Sequence, residues 1–149
     1  MSYDLMVFDH SKAPNTYEEF MVWYFEQTKW SEPHDYMSSS VTSPLLRSWF
    51  MEMKDTFPPM NGEYSPTDDQ LDEDESLEPR LTDYCIGTCV IYMAFAWSQI
   101  EPAYNLVTQL ASKHGLGFFD VSGDESVTLP DGTKLTKPEP PKKAGLFKR

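Results

Sequence analysis

A chain of 149 residues, 40% hydrophobic and 14% aromatic, is sized for one domain with a core of ordinary volume. Its formal charge of −12 argues against nucleic acid and anionic lipid as partners, because both need lysine and arginine to neutralise phosphates. Two cysteines make no disulfide framework, and the longest apolar run, Cys89 to Trp97, is about nine residues where a bilayer span needs about 20.

The first strand is expected at Tyr3 to Phe8, with Tyr3, Leu5 and Val7 on one face and Met6 and Phe8 on the other. Both faces are apolar, so the strand should be central and buried on both sides. The start, M-S-Y-D-L-M-V-F-D, has no basic n-region, so no secretory leader is expected and a cytoplasmic location is. Thr16-Tyr-Glu-Glu19 has the form of a capping box. Behind it Tyr17, Phe20, Met21, Tyr24 and Phe25 repeat at helical spacing, which predicts one apolar helical face.

Lys29 to Ser40 breaks the pattern with Pro33 and three consecutive serines, a loop. Ser43-Pro44 predicts a second helix start, with Leu45, Leu46, Trp49, Phe50 and Met53 as its apolar face. Met21, Met51 and Met53 read as core filling. Phe57 to Gly62 stops that helix. Glu63 to Asp83 then carries nine carboxylates against one arginine. Low hydrophobicity and high charge argue against a core of its own, so it reads as a surface insertion.

Two strands follow, Thr82 to Thr88 and Cys89 to Trp97, the latter the expected sheet centre. A helix to about His114 should bury Ala103, Leu106, Val107, Leu110 and Ala111. Its start is set either by Ser98-Gln-Ile-Glu101 as a capping box or by Glu101 capping Pro102, and Gly115 is placed to end it. Leu116 to Val121 is a further strand, and Val127 to Leu135 a small hairpin turned by Pro-Asp-Gly. The predicted class is α+β: a ferredoxin-like split βαβ antiparallel sheet with helices on one face, an extra helix in the first crossover, and the hairpin appended. Residues 1–135 form one domain with the acidic insertion at about 63–83, and 136–149 form a basic, proline-rich tail. Charge divides accordingly: residues 1–133 hold 23 acids and 6 bases, and the last sixteen residues one acid and six bases. The tail reads as a weak internal counterion or a solvated end.

Chemistry-bearing patterns are few. Cys85 and Cys89 on one uninterrupted strand would stand about 13 Å apart, too far for one metal, and no further ligand spacing accompanies them. Asp68, Asp69, Asp72 and Asp74 lack the glycine-containing spacing of a calcium loop. His114, ending a helix, suits the dipole there. No catalytic residue, cofactor or metal is expected. The candidate partner-binding residues are Asp68, Asp69, Asp72, Glu73, Asp74, Glu75 and Glu78, which suit a cationic protein surface, together with Trp30, His34, Asp35 and Tyr36. Exposed Trp and Tyr beside charges make interface anchors, while Trp30 folded back on the helix face would be core.

Several stretches are distinctive: M-S-Y-D-L-M-V-F-D; W-Y-x-x-Q-T-x-W-S-E-x-H-D-Y from Trp23 to Tyr36; F-P-P-M-N-G at Phe57 to Gly62; I-Y-M-A-F-A-W-S at Ile91 to Ser98; and K-H-G-L-G-F-F-D-V-S at Lys113 to Ser122. Together they resemble a family of short bacterial cytosolic proteins similar to immunity proteins of polymorphic or contact-dependent toxins. The resemblance covers most of residues 1–122, apart from the acidic insertion and the tail, and brings no catalytic residues. It implies a stoichiometric inhibitor of a cognate toxin with a basic cleft, such as a nuclease. Two other readings are open: an enzyme or small-ligand domain using His34, Asp35 and Tyr36, and an adaptor that dimerises through an exposed sheet edge.

Overall fold

A computed structural model describes residues 2–138. It is an α+β protein built on one open antiparallel sheet of five strands, with four α-helices. In chain order the elements are β1 (Tyr3–Phe8), α1 (Tyr17–Gln27), α2 (Pro44–Thr56), α3 (Asp68–Glu73), β2 (Asp83–Ile86), β3 (Val90–Phe95), α4 (Ile100–Lys113), β4 (Gly117–Phe119) and β5 (Val127–Thr128). The strands lie in the order β2-β3-β1-β4-β5. β1 is buried between two strands as expected and is the middle strand, so the Cys89–Trp97 segment expected at the sheet centre lies beside it as β3; β1 pairs Leu5 with Met93 on β3 and Val7 with Phe118 on β4.

Alternation along β1 decides how the sheet is covered. Tyr3, Leu5 and Val7 pack with Tyr84, Ile86, Ile91, Met93, Phe95 and Phe118 against Leu46, Trp49, Phe50 and Met53 of α2 and Ala103, Val107, Leu110 and Ala111 of α4. Met6 and Phe8 point the other way and pack with Val90, Phe119 and Val127 against Phe20 of α1. Helices therefore cover both faces, where the sequence predicted one. The reason is in β1 itself: its second apolar row needs a cover, and burying each large side chain contributes about 2 kcal/mol. α1 supplies it through an aromatic cluster of Phe8, Phe20, Trp23, Tyr24 and Phe119, with ring centroids 4.8–5.9 Å apart along the chain of contacts. The face of α1 is also rotated from the expectation. Trp23 packs inward, and Phe25 is left 60% exposed beside Val22 at 67%.

Helix ends follow their capping chemistry with three exceptions. Ser43 precedes Pro44 of α2 as expected, but its hydroxyl caps no amide. Thr16 accepts from the Glu19 amide at 3.3 Å, yet the Glu19 carboxylate takes the Thr16 hydroxyl rather than closing a reciprocal box. α4 begins at Ile100 out of a 3₁₀ turn over Trp97–Gln99, with no side-chain cap from Ser98 or Glu101. It ends as expected: Gly115 adopts φ +70, and the Leu116 amide donates back to the Ala111 carbonyl at 2.8 Å, closing a Schellman turn that only glycine enters cheaply. His114 at this end bonds Glu52 of α2 at 2.6 Å, beside a Lys113–Glu52 ion pair, and so ties the two helices of that face together.

The outer margin of the sheet at β2 is occupied by the chain's own loops. The Ile86 amide donates to the Tyr36 carbonyl at 2.8 Å, and the Thr82 amide to the Pro58 carbonyl at 2.9 Å. At the opposite margin β5 is two residues long and bridges back from Thr128 to Lys134 in the expected hairpin. Of the basic tail, residues 139–149 lie outside the described residues. Lys137 donates to the Asp124 carbonyl and sits 5.8 Å from the Tyr17 ring centroid.

Candidate functional site

The acidic insertion folds further than its composition suggests. Thr67 and Gln70 form a reciprocal capping box at the start of α3: the Gln70 amide donates to the Thr67 hydroxyl at 3.2 Å, and the Thr67 amide to the Gln70 side-chain carbonyl at 2.9 Å. Asp68 and Asp69 occupy the first turn, where carboxylates complement the helix dipole. Past α3, the Asp74 carboxylate accepts from the Ser76 hydroxyl at 2.6 Å and amide at 3.0 Å. Those bonds hold its pKa below the usual range.

A six-residue helix is not stable alone, so its hold on the domain matters. Leu71 and Leu77 are half-buried. Tyr64 packs on Phe50 with centroids 6.1 Å apart, and the Lys54 ammonium sits 4.8 Å over the Tyr64 ring. Between the insertion and the end of α2 lies a groove of about 400 Å3 lined by Lys54, Pro58, Tyr64, Gln70, Glu73 and Leu77, among others. Asp68, Asp69, Asp72, Glu73, Asp74, Glu75 and Glu78 are all exposed. Among the described residues, none of the seven forms an ion pair.

The loop from Trp30 to Tyr36 is built differently. The Glu32 carboxylate accepts from His34 Nε2 at 2.6 Å and from the Thr88 hydroxyl and amide at 2.8 and 3.1 Å. Burial works to raise the Glu32 pKa, but the bonds from His34 and Thr88 together outweigh it and leave it lowered. His34 Nδ1 faces the Asp35 carbonyl at 2.6 Å. Both ring nitrogens thus meet acceptors, which favours the imidazolium and raises the His34 pKa, the Asp35 carbonyl contributing most and Glu32 next. The Tyr36 hydroxyl accepts from the Glu32 amide at 2.6 Å, and the Asp35 carboxylate from the Met37 amide at 2.9 Å. Both His34 ring nitrogens, the Tyr36 hydroxyl and one Asp35 carboxylate oxygen are therefore engaged within the loop, and His34 as the imidazolium has no lone pair free to act as a base.

Trp30 is half-buried. Its ring stands edge-on to Tyr36 at 5.1 Å and to Tyr92 of β3 at 5.9 Å. It reaches that position through a left-handed backbone, φ +51, a conformation that costs a non-glycine residue about 1 kcal/mol or more. Trp30 therefore packs on the sheet face that α1 leaves open, away from the acidic groove. The groove and the cleft beside Trp30 share no lining residue. The aromatic loop and the acidic insertion also border one another where Asp35 and Met37 meet Gly62, Glu63 and Tyr64 around a 180 Å3 depression, and Asp83, at the end of the insertion, lines the cleft beside Trp30.

No known family, curated protein or solved structure matches this chain. Among the described residues no three His, Cys, Asp or Glu side chains stand close enough to hold a metal ion. No helix among them is long and apolar enough to cross a membrane. Cys85 and Cys89 are free and half-buried, and burial raises both thiol pKa values, which makes them poor nucleophiles. Sequence reasoning missed Asp4, Asp83 and Tyr92, which cross-strand register places on one face: Asp4 opposite Ala94, and Ala94 opposite Asp83. Only the pairing of β1, β2 and β3 brings them together.

Proposed function

We propose that this is an immunity protein, a binding protein that neutralises a cognate toxin by seating its acidic segment in the toxin's basic active cleft. The observation that carries the reading is the set of seven exposed carboxylates from Asp68 to Glu78, four on a capped helix and three in the turns that follow it, free of internal ion pairs among the described residues. Charges spent on stability are usually paired; charges left facing water steer and orient an oppositely charged partner. A nuclease is the natural target class, since its cleft is built to receive phosphates. The resemblance of the Trp23–Tyr36 and Lys113–Ser122 stretches to toxin-immunity proteins points the same way.

Strands β1 to β4 in the order β2-β3-β1-β4, with α2 and α4 on one face, support a ferredoxin-like split βαβ core carrying α1 as an addition on the other face.

The test is direct binding to the toxin domain encoded beside this gene. Affinity should fall steeply between low and moderate salt. A variant with Asp68, Asp69, Asp72, Glu73, Asp74, Glu75 and Glu78 changed to their amides should lose about a hundredfold in affinity or more, with most of its salt dependence. Unchanged affinity and slope in that variant would sink the acidic-segment mechanism.

A further inference from the structure

We infer that the cleft on the α1 side of the sheet is a binding site for an organic cation, an alkylammonium or guanidinium group. The cleft measures about 220 Å3 and is lined by Tyr24, Trp30, Asp83, Cys85, Tyr92 and Ala94, among others, with no lysine, arginine or histidine. Its floor is Ala94, a small residue between two carboxylates in register: Asp83 on β2 and Asp4 on β1. Strand spacing sets those backbones about 9–10 Å apart, wide enough for a substituted ammonium between them.

The walls are aromatic. Tyr92 is held upright by donating its hydroxyl to Asp4, whose carboxylate is itself fixed by the Ser2 hydroxyl at 2.6 Å. The Trp30 ring stands against Tyr92 at 5.9 Å and is braced from behind by Tyr36 at 5.1 Å. Tyr24 closes the α1 side. Ring faces attract cations, most strongly when the site is partly desolvated and a carboxylate stands nearby. Asp83 is exposed and has no hydrogen-bond or ion-pair partner among the described residues.

Two features set this apart from ordinary core packing. Trp30 holds a left-handed backbone, φ +51, and such strain gathers at binding sites. The cleft is also the part of this face that α1 leaves uncovered, although aromatic side chains surround it. The site shares no residue with the Asp68–Glu78 carboxylates and does not depend on the function proposed for them.

Amide NMR titration of the intact protein tests it, with choline as the cation, dimethylbutanol as its uncharged isostere, and the tripeptides Gly-Lys-Gly and Gly-Arg-Gly as polypeptide-borne cations. Choline should give saturable shifts centred on the Trp30 indole and on the Cys85 and Ala94 amides. The isostere should bind about tenfold more weakly. Asp83→Asn, an exposed edge change that leaves the fold intact, should weaken choline about fivefold. Tighter choline than tripeptide binding identifies a small amine as the ligand; tighter tripeptide binding identifies a partner's side chain. Equal binding of choline and the isostere, shifts mapping elsewhere, or an Asp83→Asn variant that binds choline normally would overturn the site.

Discussion

At His34 two acceptors meet one imidazole, and the pH behaviour of the loop follows. The raised His34 pKa contributes stability that is fully present below the ordinary value of 6.5 and is lost as pH rises through the raised value. The lowered Glu32 pKa has the opposite sense: its contribution is present above the ordinary 4.5 and is lost as pH falls through the lowered one. The clamp is therefore strongest between the two, in weakly acidic solution. Melting temperature, or amide protection at Thr88 and Ile86 after correction for intrinsic exchange, should fall as pH is raised from about 6 to 8 in the native protein. His34→Gln should flatten that slope. An identical slope in both proteins would assign the effect to another group. The same residue shows what the sequence conceals: W-S-E-P-H-D-Y reads equally as a polar-aromatic site or a self-bonded loop, and only Glu32 reaching Thr88 across the fold settles which groups stay free.

At the scale of elements, packing tolerances become specific. Gly117 opens β4 directly against Phe8, and a Cβ there would lie 2.2 Å from the Phe8 ring. Phe8 is fully buried among Phe20 and Trp23, so it has little room to yield. Gly117→Ala should destabilise by about 2 kcal/mol or more, read by denaturant unfolding; a loss below half a kilocalorie would mean that the aromatic cluster of α1 repacks freely. The strands, α1, α2 and α4 were legible because their signals are local: alternation on β1, the Ser43-Pro44 start and Gly115 stop, and helical spacing of Leu46, Trp49, Phe50 and Met53. The face on which α1 docks was not, although the doubly apolar β1 already required a cover on each side. α3 was hidden by its composition, since its four carboxylates and three more just beyond it outweigh a Thr67-x-x-Gln70 box in any reading by hydrophobicity. The Asp4–Ala94–Asp83 row was invisible because it joins residues some eighty positions apart through strand register.

Across the whole molecule, charge and cohesion pull against each other. The acidic segment crowds like charges along six residues of helix and the turn after it, and like charges at helical spacing each cost a few tenths of a kcal/mol. Changing Asp72, Glu73 and Glu75 to amides should stabilise the protein by about 1 kcal/mol at low salt, a gain that fades in roughly half-molar salt as screening shortens. Destabilisation by the same change would mean that these side chains serve the fold instead of a partner. The other whole-molecule property comes from the margin beyond β2. With Tyr36 and Pro58 already bonded to Ile86 and Thr82, a neighbouring molecule finds little open ladder there to extend. A chain whose central strands are nearly continuous runs of valine, isoleucine, methionine and phenylalanine thus carries its own guard against growing into fibres.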